Sequence, residues 1–291
     1  MTAPSPTSPL GVACIIGSCI SLQLGAALAV ELFPHAGSWA TASLRLLLAA
    51  LILLALSRPR FWEWRVDQWR AVITFGLTMG FMNGCFYTAI ERIPLGTAVT
   101  IEFLGPLTLA ALLSRSVRDA ICVALALTGM LLLGINSYNG YPLDPVGVAF
   151  TLTAGVFWAL YILASKRAGN SVPGQGGLAV ALFIGGLALM PLGWQGSLTI
   201  VTDTHLFGIA LGTAVLASLV PYSLELIALR RLTPNTFAIF LALEPAIAAF
   251  FGWLLLSEHI SGMKFTAILL VIAAAVIQAM QGRGKKRAQP V

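Results

Sequence analysis

Residues 95–114 read LGTAVTIEFLGPLTLAALLS, and Glu102 is the one acidic side chain among them. A helix needs about 20 predominantly apolar residues to cross a bilayer, so this stretch predicts a transmembrane helix. Stretches of similar length and composition recur along the chain. The predicted spans are 10–32, 38–57, 69–90, 95–114, 118–137, 145–168, 176–194, 205–229, 234–256 and 261–281.

The composition of the whole chain agrees with this assignment. Hydrophobic residues make up 58% of the 291 positions and charged residues 10%, whereas soluble domains are about half apolar and about a quarter charged. The strands of a membrane barrel would alternate polar and apolar residues, and these stretches do not alternate. We therefore predict an all-α membrane protein with ten transmembrane helices.

Lysine and arginine are distributed unevenly between the predicted loops. Of the 17 basic residues, 14 lie on one side of the predicted membrane: Arg58, Arg60, Arg65, Arg70, Arg115, Arg118, Lys166, Arg167, Arg230, Arg231, Arg283, Lys285, Lys286 and Arg287. Arg92 and Lys264 lie on the other side, and Arg45 lies within a span. Basic loops stay in the cytoplasm, so both termini are predicted to be cytoplasmic. The net charge of +6 thus needs no nucleic-acid partner, and the basic tail at 282–291 is expected to bind anionic lipid headgroups.

Neither a metal nor another cofactor is expected from the sequence. All four cysteines fall inside predicted spans, without the spacing of a metal site or a disulfide framework: Cys14, Cys19, Cys85 and Cys122. The first apolar run has no convincing small-residue cleavage site, so we interpret it as the first span and not as a removed signal peptide.

Two halves of the chain repeat each other weakly. Residues 9–13, PLGVA, match residues 145–149, PVGVA, at an offset of 136. At an offset of 139, residues 89–92 match residues 228–231, and Pro106 matches Pro245. We predict a first repeat at 1–137, a connecting loop at 138–144, a second repeat at 145–281 and a tail at 282–291. Five spans per half would place the halves in opposite orientations, as two inverted five-helix repeats of the kind common in secondary transporters.

Four ionisable side chains lie deep within predicted spans: Arg45, Glu102, Glu225 and Glu244. Each costs on the order of 2.5–3.5 kcal/mol at the centre of a bilayer by insertion scales, which marks such residues as functional candidates. Arg45 is expected to snorkel, to pair with a carboxylate or to contact a solute. For Glu225, the alternative to a coupling role is a structural contact with Tyr222 or Arg45.

Prolines interrupt three of these spans: Pro106, Pro221 and Pro245. A proline cannot donate to the carbonyl four residues earlier, so carbonyls at 102, 217 and 241 are expected to be freed. Broken helices at membrane depth commonly line solute sites. The alternative is a simple kink accommodated by neighbouring helices.

Polar side chains recur at helical spacing within several spans. The candidates for solute binding or coupling are Gln23, Asn83, Tyr87, Glu102, Trp158, Tyr161, Tyr222, Glu225 and Glu244. These faces would converge on one aqueous cavity; the alternative for the neutral members is hydrogen bonding between helices. Gly76, Gly80 and Gly84 recur every fourth residue and predict close helix packing. Spans five and ten, the least polar, are expected to face lipid or a second copy of the chain in a homodimer.

Four segments resemble the EamA type of the drug/metabolite transporter superfamily: PLGTAVTIEFLGP at 94–106, FWALYIL at 157–163, PYSLELIAL at 221–229 and LEPA at 243–246. The resemblance extends from about residue 11 to residue 281 and is strongest to the bacterial exporters of threonine and homoserine. It implies a ten-helix exporter of small amino acids in the bacterial inner membrane, driven by the proton gradient. Within the motifs it points to Glu102, Trp158, Tyr161, Tyr222, Glu225 and Glu244.

Two other functions stay open on the sequence alone. The first is an EamA-type transporter of another metabolite or a drug. The second is a membrane-embedded enzyme, for which a metal or nucleophile motif such as HExxH or GxSxG would be expected; neither occurs in the sequence.

Overall fold

The computed structural model describes residues 8–93, 95–113, 116–137, 143–241, 243–244, 247, 261–263, 265–270, 272–274 and 277. Within these ranges every regular element is helical and no β-strand occurs, in agreement with the all-α prediction. The α-helices are α1 Pro9–Ser57, α2 Val66–Ile90, α3 Leu95–Glu102, α4 Leu104–Leu113, α5 Val117–Ser137, α6 Pro145–Ser171, α7 Gly176–Thr202, α8 Thr204–Ala214, α9 Val220–Arg231 and α10 Pro234–Leu241. A 3₁₀ turn at Phe61–Glu63 precedes α2, and a π turn at Val215–Leu219 joins α8 to α9.

Four helical segments are long and apolar enough to cross a membrane: Glu31–Ser57, Pro145–Ser171, Gly176–Thr202 and Thr204–Arg231. Each has 27 or 28 residues. At 1.5 Å per residue such a helix is roughly 40 Å long, which matches a bilayer including its headgroups. Shorter apolar helices occur at Pro9–Gly25, Leu104–Leu113 and Phe265–Ala274.

The predicted end of the seventh span at residue 194 is wrong. Helix α7 continues to Thr202, through a segment whose polar residues suggested a loop. Ser197 within that segment is buried against the protein. The extension arises because a helix ends where its packing ends, and not where its hydropathy falls.

The first two predicted spans form one helix with a break at Gly37. Gly37 has φ 75° and ψ 170°, a conformation open to glycine but not to residues with a Cβ. Pro34 lies three residues earlier and cannot donate to the carbonyl of residue 30. After the break, the backbone N–H of Ser38 donates to the Glu91 Oε1 at 2.9 Å. The carboxylate thus caps the second arm of α1 as an N-cap side chain would.

Pro106 coincides with a second break, between α3 and α4. The helix stops at Glu102 and resumes at Leu104, because the carbonyl of Glu102 has no N–H to accept from four residues later. Gly155 of α6 packs against this break, and a Cβ on Gly155 would lie 2.7 Å from the Glu102 carbonyl oxygen. The backbone of α6 therefore lies directly against the helix break that follows Glu102.

Pro221 leads to the π turn, and it frees a different carbonyl from the one predicted. In the π turn the N–H of Val220 donates to Val215, so Leu216 would need a donor at position 221, which is proline. The Ser21 hydroxyl of α1 donates to the Leu216 carbonyl at 2.7 Å instead. The prediction that the carbonyl of residue 217 is freed assumed α-helical hydrogen bonding, and the chain forms a π turn here instead. Pro245 lies outside the described residues.

The predicted packing role of the α2 glycines is confirmed. A Cβ on Gly80 would lie 2.8 Å from the Gly185 carbonyl oxygen of α7, and a Cβ on Gly76 would lie 2.6 Å from that of Ala181. A Cβ on Gly84 would overlap the ring of Trp39. Helix α2 therefore lies directly against α7 and the second arm of α1, which fixes the depth of Asn83 and Tyr87.

Gly155→Ala tests the close approach of α6 to the break at Glu102. The added Cβ meets backbone, which cannot rotate away, so we expect a loss of about 1–3 kcal/mol and a lower Tm in detergent. Gly208→Ala is the matched control: its Cβ would meet no atom within 4 Å, and alanine is the better helix former by up to about 1 kcal/mol. Equal Tm values for the two variants would contradict the packing.

Candidate functional site

A buried network surrounds Arg45 in the second arm of α1. An Arg45 Nη2 donates to the Oδ1 of Asn83, and the guanidinium carbon lies 5.0 Å from the centroid of the Tyr87 ring. The Nδ2 of Asn83 donates to the Met79 carbonyl and to the Tyr222 hydroxyl, both at 2.8 Å. The arginine network consists of Arg45, Asn83, Tyr87 and Tyr222, and it joins α1, α2 and α9.

Glu225 lies on α9 one turn from Tyr222 and has two hydroxyl donors. The Ser18 hydroxyl donates to Oε1 and the Tyr161 hydroxyl to Oε2, each at 2.7 Å. The ring of Tyr161 is 5.8 Å from that of Tyr222, centroid to centroid. This ring contact places the Glu225 carboxylate beside the arginine network.

Glu102 and Glu244 extend this region towards α4 and α10. The side chains of Glu102, Glu225 and Glu244 are 6%, 5% and 8% exposed. We call these three buried carboxylates the acidic cluster; the negative charge of Glu244 repels those of Glu102 and Glu225. Among the described residues, none of the three forms a salt bridge within 4.0 Å. Three buried negative charges without a cation are unfavourable in a medium of low dielectric constant.

The ring of Trp158 packs against the α3–α4 break. It lies 4.6 Å from the ring of Phe103, edge to face, and Phe103 is the residue between Glu102 and α4. The helix break is thus packed by an aromatic pair, which stabilises the local backbone that presents Glu102.

The structure connects five of the predicted residues by the contacts described above: Asn83, Tyr87, Tyr161, Tyr222 and Glu225. Gln23 is half-buried, and no described residue hydrogen-bonds to it. The convergence of these faces on one aqueous cavity stays a prediction.

Of the alternatives for Arg45, pairing with a carboxylate is not found among the described residues. No described carboxylate lies within 4.0 Å of its guanidinium nitrogens; its partners are the neutral Asn83 amide and the Tyr87 ring. The Glu225 carboxylate accepts hydrogen bonds from Ser18 and Tyr161. Tyr222 contacts both groups of residues: its hydroxyl bonds to Asn83, and its ring lies 5.8 Å from that of Tyr161, centroid to centroid.

Two functional contacts of α1 were not predicted. The Ser18 hydroxyl donates to the Glu225 carboxylate, and the Ser21 hydroxyl donates to the Leu216 carbonyl in the π turn. Ser18, Ser21 and Gly25 share one helical face at spacings of three and four, a pattern of small residues that predicts close packing of α1 against another helix. A Cβ on Gly25 would indeed lie 2.5 Å from the backbone nitrogen of Ala217.

In the described part of the chain, no group of three or more metal-ligating side chains is arranged to hold an ion. Cys14, Cys19, Cys85 and Cys122 are buried. The site contains a guanidinium, three buried carboxylates and the hydroxyls of Ser18, Tyr161 and Tyr222.

Tyr161→Phe tests the hydrogen bond to Glu225. Removing a donor from a buried carboxylate costs about 1–3 kcal/mol, so we expect a lower Tm in detergent. Tyr87→Phe is the matched substitution for stability, because the described residues give the Tyr87 hydroxyl no hydrogen bond and the ring stays beneath Arg45. A Tyr87→Phe loss as large as that of Tyr161→Phe would contradict this assignment.

Known proteins with similar sequence and structure agree with these features. The EamA-like transporter family matches residues 145–280. The threonine/homoserine exporter RhtA of Salmonella typhimurium strain LT2 is 38% identical over 256 residues, which cover 88% of this chain and 86% of that protein. RhtA of Escherichia coli strain K12 is 35% identical over 267 residues, 92% of this chain and 90% of that protein.

A solved crystal structure shares the fold. It is 14% identical and superposes with a TM-score of 0.78, covering 96% of this chain and 100% of that chain. At this identity the likeness concerns the fold alone. Together with its apolar spans and its bacterial exporter relatives, the sequence match shows that the chain belongs to the EamA-like transporter family of multi-pass inner-membrane proteins.

Proposed function

We propose that this protein exports small amino acids of the threonine and homoserine type in exchange for protons. The observation that supports this most directly is the acidic cluster of Glu102, Glu225 and Glu244, buried and without a cation among the described residues. Either a proton or the ammonium group of a solute relieves the repulsion within the cluster. The relatives named as threonine/homoserine exporters suggest the class of solute.

Antiport follows if proton and ammonium compete for the same carboxylates. A protonated cluster has less negative charge to hold the ammonium group, so proton entry from outside releases the solute there. At a potential on the order of 150 mV, one proton moving inward releases about 3.5 kcal/mol. That supports a solute gradient of about 300-fold, so one coupled proton is sufficient.

The ten-helix inverted repeat is also part of this proposal, and several contacts support it. Asn83 and Tyr222 are 139 positions apart, the repeat offset, and they hydrogen-bond to each other. Equivalent residues touch in this way where two repeats cross on a pseudo-two-fold axis. Gly11 packs on Leu232 and Gly147 packs on Ile93, and these two pairs are related by offsets of 136 and 139. The arginine network would then lie on the axis, where transporters of this architecture bind solute.

Two further contacts are related by the repeat. In the predicted orientation they lie at opposite ends of the protein. At the proposed periplasmic end, Glu91 accepts from the N–H of Ser38. At the proposed cytoplasmic end, Arg230 donates to the carbonyls of Val172 and Gly174. Arg230 is the repeat equivalent of Glu91, and Gly174 that of Ser38. We call these the outer contact (Glu91–Ser38) and the inner contact (Arg230 with Val172 and Gly174), and we propose that they close the two ends of the transporter.

Lipid and oligomeric partners complete the proposal. The basic tail would bind anionic lipid on the cytoplasmic side. Helix α5 exposes Val117, Ile121, Leu131 and Ile135, an apolar surface suited to lipid or to a second copy of the chain.

Glu102→Gln and Glu244→Gln test the coupling. Both keep the side-chain shape but remove the charge, so we expect protein in the membrane and a loss of at least tenfold in threonine transport driven by an imposed pH gradient. Proteoliposomes with an internal pH dye report solute and proton together. Glu63→Gln, at an exposed position before α2, is the control. If both buried variants transport at the wild-type rate, proton coupling through these residues is excluded.

Glu91→Ala and Arg230→Met test the two contacts. Loss of a charged hydrogen bond costs about 1.5–3 kcal/mol, or roughly tenfold or more in local opening. Hydrogen exchange should accelerate near residues 38–42 in Glu91→Ala and near residues 172–178 in Arg230→Met. Equal acceleration at both ends in either variant would show that the contacts do not act separately.

A further inference from the structure

Arg45 has far fewer partners than a buried guanidinium requires. Its side chain is 3% exposed, and a guanidinium carries five N–H donors. One nitrogen donates to Asn83, whereas the buried Nε has no hydrogen bond. No carboxylate of the described residues lies within 4.0 Å. The positive charge is thus held inside the protein by neutral groups.

The surrounding contacts fix the position of Arg45 without neutralising it. Asn83 cannot rotate freely, because its Nδ2 is bonded to the Met79 carbonyl and to the Tyr222 hydroxyl. Its Oδ1 is thereby directed to Arg45. The Tyr87 ring packs against the guanidinium and is itself held edge to face by Phe33, 5.1 Å away. A charge that is positioned so firmly and left unpaired is suited to a planar anion that accepts two hydrogen bonds.

A series of contacts connects Arg45 to Glu225. Arg45 donates to Asn83, which donates to the Tyr222 hydroxyl. The Tyr222 ring lies 5.8 Å from that of Tyr161, centroid to centroid, and the Tyr161 hydroxyl donates to Glu225. An amino acid carries its carboxylate and its ammonium group on one carbon atom, so a site for it needs both a cation and an acceptor. Arg45 and Glu225 supply these two groups within one connected network.

We propose that Arg45 binds the α-carboxylate of the transported solute and makes the transporter select free amino acids over amines and amides. This inference rests on the proposed function and extends it by assigning the carboxylate subsite. Asn83 and Tyr87 are then positioning residues, since they act by holding the guanidinium.

The test compares threonine with threoninamide, which keeps the ammonium group and the hydroxyl but lacks the carboxylate. Both are used as competitors of radiolabelled threonine counterflow in proteoliposomes. A site that hydrogen-bonds a solute group rejects an analogue without it by a large factor, so the wild type should prefer threonine by about 100-fold or more. Arg45→Gln should reduce the preference to below about tenfold.

Two variants separate a binding role from a structural one. Arg45→Lys keeps the charge but loses the planar fork, so it should show an intermediate preference. Ser43→Ala is the control: Ser43 lies on the same arm of α1, but its hydroxyl donates to the Gly186 carbonyl of α7, away from the arginine network. It should keep the wild-type preference.

The outcomes distinguish this inference from the proposed function. If the wild type exchanges threonine but does not discriminate against threoninamide, the Arg45 assignment is overturned and the proposed function stands. The same holds if Arg45→Gln and Arg45→Lys lose affinity for both compounds equally, because a purely structural role would have that effect. If the wild type exchanges neither compound, the proposed function fails, and the assignment of a carboxylate subsite fails with it.

Discussion

Charge buried within membrane-spanning helices is the constraint on which this structure depends. Arg45 and the acidic cluster are buried within helical segments that are otherwise mostly apolar. Packing offsets part of the cost of this burial, as do hydrogen bonds from Ser18 and Tyr161 to Glu225 and from Arg45 to Asn83. In the proposed function, these charges are completed by the solute or by protons.

The helix breaks place backbone and side chains around those charges. The break at Phe103 presents Glu102, and the π turn before Pro221 turns α9 so that Tyr222 and Glu225 face α2 and α6. Each break is accommodated by a specific neighbour: Gly155 allows α6 to lie against the Glu102 carbonyl, and Ser21 bonds to the carbonyl of Leu216. The prolines, the glycines and the serine therefore belong to one arrangement, in which an interruption in one helix is matched by a small or hydroxyl-bearing residue on the next.

The sequence allowed much of this to be predicted, and the failures have physical causes. Helical class, the buried glutamates, the glycine packing of α2 and the break at Pro106 follow from composition, from the cost of buried charge and from the missing N–H of proline. The end of α7 and the π register at Pro221 could not be predicted, because tertiary contacts decide both. The partner of Arg45 could not be assigned either, because its contacts with Asn83 and Tyr87 depend on how α2 packs against α1.

The proposed exchange of small amino acids across the membrane is tested most directly by counterflow. Purified wild-type protein in liposomes is measured against a panel of amino acids. We expect exchange of threonine and homoserine and little exchange of large or acidic amino acids. Failure of threonine while an unrelated metabolite exchanges would leave the family intact and contradict the proposed solute.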